Sequence, residues 1–264
     1  MLENSKLKKN YIMNTILTLS SFIFPLITFP YVSRILLPEG TGRVSFATSV
    51  VSYFLMLSQL GIPTYGIRAC AKVRDDRRKL SRVVHELMAI NLVMSLLSYL
   101  ALGIFVFAIP RLRAESSLIF IISLTILLNA VGMEWLYKAL EQYTYITIRS
   151  VIFKAIAVVA MLLLIRQQSD YVVYGALTIL AASASNVCNF VHAHTYIDLF
   201  PEEKYNYRQH MKPILIFFAM SCATVIYTNL DTVMLGLMKS NVDVGYYNAA
   251  VKIKGILVGI VSSL

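Results

Sequence analysis

Apolar runs near the roughly 20 residues that a helix needs to cross a bilayer core alternate with short polar gaps along the whole chain. Eight can be placed: Ile12–Val32, Val44–Tyr65, Leu87–Ile109, Leu118–Lys138, Ile148–Ile165, Tyr171–Tyr196, Pro213–Leu237, and one that starts near Gly245 and is still apolar at Leu264. The runs are continuous rather than alternating, and in lipid only helices or closed barrels satisfy the backbone, so each run is expected to be a helix. The predicted fold is an all-α polytopic membrane bundle. Residues 1–205 form a first six-helix bundle, and residues 206–264 hold the first two helices of a second, incomplete one. An eighth run without a closing loop suggests a fragment or a truncated gene product. Pro25 and Pro30 fall inside the first run, where proline kinks a helix.

Composition strengthens this picture. Only 14% of residues are charged and mean hydropathy is +0.68, against about 25% charged in soluble domains. The net charge of +10 would suit nucleic acid in a soluble protein, but here the bases sort by loop. Fifteen fall in one set of loops and six in the other, which places the N-terminus in the cytoplasm by the positive-inside rule and argues against nucleic acid. Seven of those bases lie between Arg68 and Arg82, a solvated linker that also attracts anionic headgroups. Lys6, Lys8 and Lys9 resemble a signal n-region, but the run behind them is too long for a cleaved peptide and is read as a retained span. The polar gap Phe200–Lys212 is the expected joint between bundles. The three cysteines are far apart and match no metal or redox spacing.

Two regions share a plan at a spacing of 203 positions: span, short polar loop, then Gly42-Arg-Val-Ser-Phe-Ala in one and Gly245-Tyr-Tyr-Asn-Ala-Ala in the other. Internal repeats of this kind are frequent in transporters.

Ionisable residues inside apolar runs are costly and mark a pathway or a pair. Asp231 lies near the end of the seventh run and Lys252 at similar depth in the eighth, so an Asp231–Lys252 ion pair is expected. Lys254, two positions on, faces elsewhere and is the cavity base of choice. Glu134 and Lys138 are spaced for a helical ion pair, beside Trp135 and Tyr137. That cluster reads either as an interfacial belt or as a site where Glu134 couples a proton or cation. Lys154 is expected to snorkel to the cytoplasmic face, and Arg34 to sit at the outer mouth of a cavity. The candidate substrate-binding residues are therefore Arg34, Glu134, Lys138, Asp231, Lys252 and Lys254. The four histidines form no metal motif, and no Gly-rich phosphate loop or nucleophile–base arrangement stands out, so neither an enzyme nor a cofactor is expected.

The strings Leu36-Leu-Pro-Glu-Gly-Thr-Gly42, Gly61-Ile-Pro-Thr-Tyr-Gly-Ile-Arg68, Tyr145-Ile-Thr-Ile-Arg-Ser150, Thr228-Asn-Leu-Asp-Thr-Val-Met-Leu-Gly236 and Val244-Gly-Tyr-Tyr-Asn-Ala-Ala-Val-Lys252 carry a family resemblance. From about residue 10 to its end the chain resembles the polysaccharide (O-antigen, Wzx-type) flippases of the multidrug/oligosaccharidyl-lipid/polysaccharide exporter superfamily. The resemblance implies two bundles facing a central cavity, and movement of undecaprenyl-diphosphate-linked oligosaccharide across the bacterial inner membrane. Membrane lipids and a polysaccharide polymerase are the implied partners. Two other readings stay open: a cation-coupled multidrug exporter of the same fold, and a non-transporting fragment.

Overall fold

The computed structural model describes residues 2–198 and 205–262, with side chains described within 8–198 and 205–255. The described residues are helical throughout and contain no strand, as an all-α multi-pass membrane protein requires. The elements are α1 (Leu2–Gln59), α2 (Ile62–Ala71), α3 (Arg77–Ala108), α4 (Pro110–Arg113), α5 (Ser116–Gly132), α6 (Glu134–Ala139), α7 (Tyr143–Leu164), α8 (Tyr171–Ile179), α9 (Asn186–His192), α10 (Arg208–Met238) and α11 (Asn241–Ser262). Five stretches are long and apolar enough to cross a membrane: Lys8–Ala71, Arg77–Ala108, Tyr143–Leu164, Gln168–Thr195 and Arg208–Met238, with the shorter apolar Ser116–Gly132 beside them.

The first two runs are one helix broken in the middle. Leu37 has φ 57° and ψ 177°, and Pro38 behind it pushes its ψ to the extended region. Leu17 and Leu60 join the same buried cluster, so the arms 2–36 and 38–59 run back along each other. Pro25 and Pro30 stay inside the first arm. The chain reverses at Leu37–Pro38.

The joined ends of the bundle differ. One end carries the Leu37 bend, α4 and the α10–α11 connection. The other carries α2, the basic segment and the start of α10. At the basic end Asp76 caps α3, accepting from the amides of Arg78 and Lys79 at 3.1 and 3.2 Å, with the Lys79 ammonium 3.0 Å away. The Lys79 side chain and those amides hold the Asp76 carboxyl below its usual range. At the bend end Arg43 lies 2.9 Å from Glu39 and 3.4 Å from buried Glu115. Arg111 donates to the Gly236 carbonyl at 2.9 Å and to Asn241 at 2.5 Å, fastening the α10–α11 turn to the first helices.

The glycines that carry the sequence repeat meet each other. A Cβ on Gly42 would lie 1.8 Å from the Asn241 carbonyl oxygen, and one on Gly245 would lie 1.9 Å from that of Pro38. Gly42 and Gly245 are 203 positions apart, and so are Pro38 and Asn241. Each hairpin therefore presses its glycine on the equivalent backbone of the other, the reciprocal contact that a two-fold arrangement produces.

Candidate functional site

Two cavities adjoin in the bundle. The larger, about 460 Å³, lies between the second arm of α1, α2 and α10, with Ser52, Thr64, Ser221, Thr224 and Asn229 among its walls. The smaller, about 230 Å³, lies between α1, α3, α5, α6 and α9. Gln59 and Pro63 border both.

The walls of the smaller cavity are set by breaks in the helices. Met133 takes a left-handed conformation (φ 42°, ψ 34°) that ends α5 and restarts the chain as α6. That turn brings Glu134, Trp135 and Lys138 to the cavity. Glu134 and Lys138 pair at 2.7 Å, as their spacing predicts. Trp135 is only 5% exposed, and Gly66 lies so close that a Cβ there would come within 2.8 Å of its indole. On the facing side a single π-helical turn, Leu180–Ala184, separates α8 from α9 within a run expected to be continuous. π-turns of this kind cluster at functional sites. Beyond it Arg149 donates to the Ser185 carbonyl at 2.8 Å, and Asn186 reaches Asn129 at 3.4 Å. Asn129 also donates to Ser183 at 3.1 Å. Asn91, on α3, donates to the Ala130 carbonyl at 3.4 Å, while no group among the described residues donates to its Oδ1.

A second polar cluster joins α10 to α2 and α3 at the basic end. Glu86 is wholly buried and His210 2% exposed, with His210 Nε2 2.5 Å from Glu86 Oε2. The carboxylate accepts, which puts a proton on Nε2, and Nδ1 lies 2.8 Å from the Tyr65 hydroxyl. Arg82 and Gln209 also donate to Glu86, at 3.1 and 2.8 Å. Next to this cluster the Arg68 guanidinium lies over the Phe217 ring, and Gly61 packs on the α10 backbone at Phe217–Phe218. Buried charge of this kind holds its place only when fully hydrogen-bonded, so the cluster acts as a latch between the first helices and α10.

Several sequence expectations are corrected. Asp231 is exposed and accepts from the Tyr247 hydroxyl at 2.7 Å, five positions before Lys252. The Lys252 ammonium instead sits 4.7 Å above the Phe29 ring, so the expected Asp231–Lys252 pair is not formed among the described residues. Lys254 is exposed, and Arg34 is exposed on α1, apart from both cavities. Lys154 does not snorkel. Its ammonium donates to Ser20 at 2.8 Å and Ser21 at 2.9 Å on the first arm of α1. Trp135 and Tyr137 are buried rather than placed in an interfacial belt, and the Tyr137 hydroxyl donates to the Asn189 carbonyl at 2.6 Å. Glu141, beyond the end of α6, pairs with Arg74 at 2.6 Å.

Of the predicted site residues, then, only Glu134 and Lys138 share a cavity wall. The three asparagines belong to no motif, although a lone carboxamide in an apolar run is itself costly and a signal of function. Glu86 and His210 lie 124 positions apart, and no local pattern joins them. The altered placement of Asp231 carries a direct test. Exchanging the charges (Asp231→Lys with Lys252→Asp) is expected to be no better than either single reversal in a thermal melt, because the two groups do not meet. A swap that restores the wild-type melt would overturn that placement.

No solved structure matches this chain. Two proteins named "Putative O-antigen transporter" do. The one from Escherichia coli (strain K12) is 22% identical over 98% of this chain, and the one from Shigella dysenteriae is 25% identical over 94%. The chain spans 63% of the length of each. The family described as "Polysaccharide biosynthesis protein" matches residues 7–264. With eight apolar runs in a helical bundle and that match over nearly its whole length, the chain belongs to the polysaccharide biosynthesis protein family.

Proposed function

We propose that the chain works as a flippase, or as the larger part of one, moving undecaprenyl-diphosphate-linked oligosaccharide across the bacterial inner membrane for O-antigen, capsule or exopolysaccharide synthesis. The observation that carries this reading is the cavity between the first helices and α10, where Ser52, Thr64, Ser221, Thr224 and Asn229 are set among Leu, Met and Phe side chains, and which shares Gln59 and Pro63 with a second, more polar cavity. Flipping breaks no covalent bond. It lowers the cost of taking polar sugar and charged diphosphate through a low-dielectric layer, and hydroxyls and carboxamides inside an otherwise apolar bundle suit that task.

In this reading residues 1–205 are the first bundle and 206–264 open the second. The N-terminus and the basic segment face the cytoplasm, in keeping with the charge bias. The Glu86–His210 latch then lies on the cytoplasmic side of the cavity and holds that side closed. Lys252, Lys254 and Arg34 are the candidate partners of the diphosphate, and a polymerase that uses the flipped unit is the expected neighbour. The relatives are named as transporters of O-antigen, which supports a carbohydrate cargo.

Expression in a strain that lacks its own O-antigen flippase tests the proposal. Restored surface polysaccharide is the expected result. Raised resistance to small cationic compounds with polysaccharide still absent would replace it by a drug-exporter reading.

A further inference from the structure

The smaller cavity has features that the general transport reading does not use. Its volume of about 230 Å³ is below the roughly 300–1,000 Å³ typical of sites for drug-sized ligands, so it suits one sugar ring and not a chain of them. Four carboxamides wall it, from Gln59, Asn91, Asn129 and Asn186. Each carboxamide both donates and accepts, which matches hydroxyls that do the same. The only charges on the wall, Glu134 and Lys138, neutralise each other at 2.7 Å. A charged ligand would find no uncompensated partner there and would have to shed its water at a loss.

Asn91 adds an independent pointer. Its side chain is 3% exposed and lines the cavity, yet its Oδ1 takes no hydrogen bond from the described residues. A buried acceptor without a donor is costly, which sets Asn91 apart from the other carboxamides of the wall. Trp135 completes the wall. Backed by Gly66, the indole offers an apolar surface of the kind that lines small-molecule sites, and a pyranose ring carries C–H groups to set against it.

We propose that this cavity is a binding subsite for a single neutral pyranose residue, held by the Asn91, Asn129, Asn186 and Gln59 carboxamides against Trp135. The proposal rests on the flippase reading for the source of the sugar, which is one residue of the carbohydrate cargo. The subsite stands apart from the groups proposed to meet the diphosphate, so it recognises the cargo by its sugar.

Trp135 is the only tryptophan among the 264 residues, and its fluorescence reports on this wall alone. The purified chain in lipid nanodiscs is titrated with methyl glycosides of neutral hexoses, with N-acetylhexosamines, and with glucuronate as the charged comparison. At least one neutral pyranoside is expected to change the emission saturably in the millimolar range, and glucuronate to bind at least tenfold more weakly. Asn91→Leu is expected to weaken binding by roughly tenfold or more, since it replaces a carboxamide of the wall by an apolar group. If that variant does not fold, Asn186→Ala replaces it with the same expectation. A flat titration with every neutral sugar, glucuronate binding as well as they do, or a folded variant that titrates like the wild type would overturn the subsite. Export in the flippase-deficient strain separates the two claims. Restored export with flat titrations removes the subsite and leaves the flippase standing. Saturable sugar binding without export removes the flippase and leaves the subsite.

Discussion

Replacing Glu86 by alanine is expected to cost the fold about 3–5 kcal/mol, the usual penalty for breaking a buried ion pair from one side. The reason is local. Glu86 is wholly buried and accepts from His210, Arg82, Gln209 and the Asn206 amide. Removing it takes one shared acceptor from four donors at once, two of them on side chains able to carry charge. His210→Ala leaves the carboxylate with its other donors and is expected to cost less. The double variant should cost clearly less than the sum of the singles, because both lose one shared bond. Thermal melts of the purified chain in detergent measure all three. Additive costs would mean that Glu86 and His210 do not act as a pair. A second consequence concerns α10, which enters the cluster through Gln209 and His210. If the latch holds α10 against α2 and α3, Glu86→Ala should raise protease cleavage near the start of α10 even at temperatures where the rest of the bundle is intact.

A comparable loss is expected at the crossing of the two hairpins. Gly245→Val places a branched side chain where even a Cβ would lie 1.9 Å from the Pro38 carbonyl oxygen. The obstacle is backbone and cannot rotate aside, so α11 must shift away from α1. Overpacking of this kind costs about 1–3 kcal/mol, occasionally more. Gly42→Val meets the Asn241 carbonyl in the same way and is expected to cost as much. Both substitutions open one crossing, so combining them should add little to either alone. Gly103→Ala supplies the comparison, since a Cβ there meets nothing within 4 Å. Alanine is the better helix former by about 1 kcal/mol, and that variant should melt no lower than the wild type. Should Gly245→Val melt like Gly103→Ala, the close approach of the hairpins would be refuted.

The two predictions separate what can be read locally from what cannot. The Gly42 and Gly245 hairpins were legible as a repeat, because each carries its own string in its own stretch of chain. Their mutual contact was not, since nothing in either string says that its partner is the other copy. Glu134 and Lys138 show the same boundary. Their spacing of four predicts the ion pair, and the structure has it. That pair's place on a cavity wall depends on the left-handed turn at Met133, which no run of apolar residues reveals. Asp231 and Lys252 mark where depth reasoning stops. Equal depth on adjacent helices does not set the angle at which each side chain leaves its helix, and Tyr247 is the residue that faces Asp231.

By itself the sequence determined that this protein is helical and lies in a membrane. Run length and the cost of an unpaired backbone in lipid leave no other solution for the stretches it contains, and those are properties of consecutive residues. Only the tertiary structure decided which polar groups share a space. Asn91, Asn129 and Asn186 come from three helices, and Glu86 and His210 from two. Helical periodicity sets which residues share a face within one helix, but how far each helix is turned against its neighbours comes from packing over the whole bundle. The cavity and the latch are products of that packing.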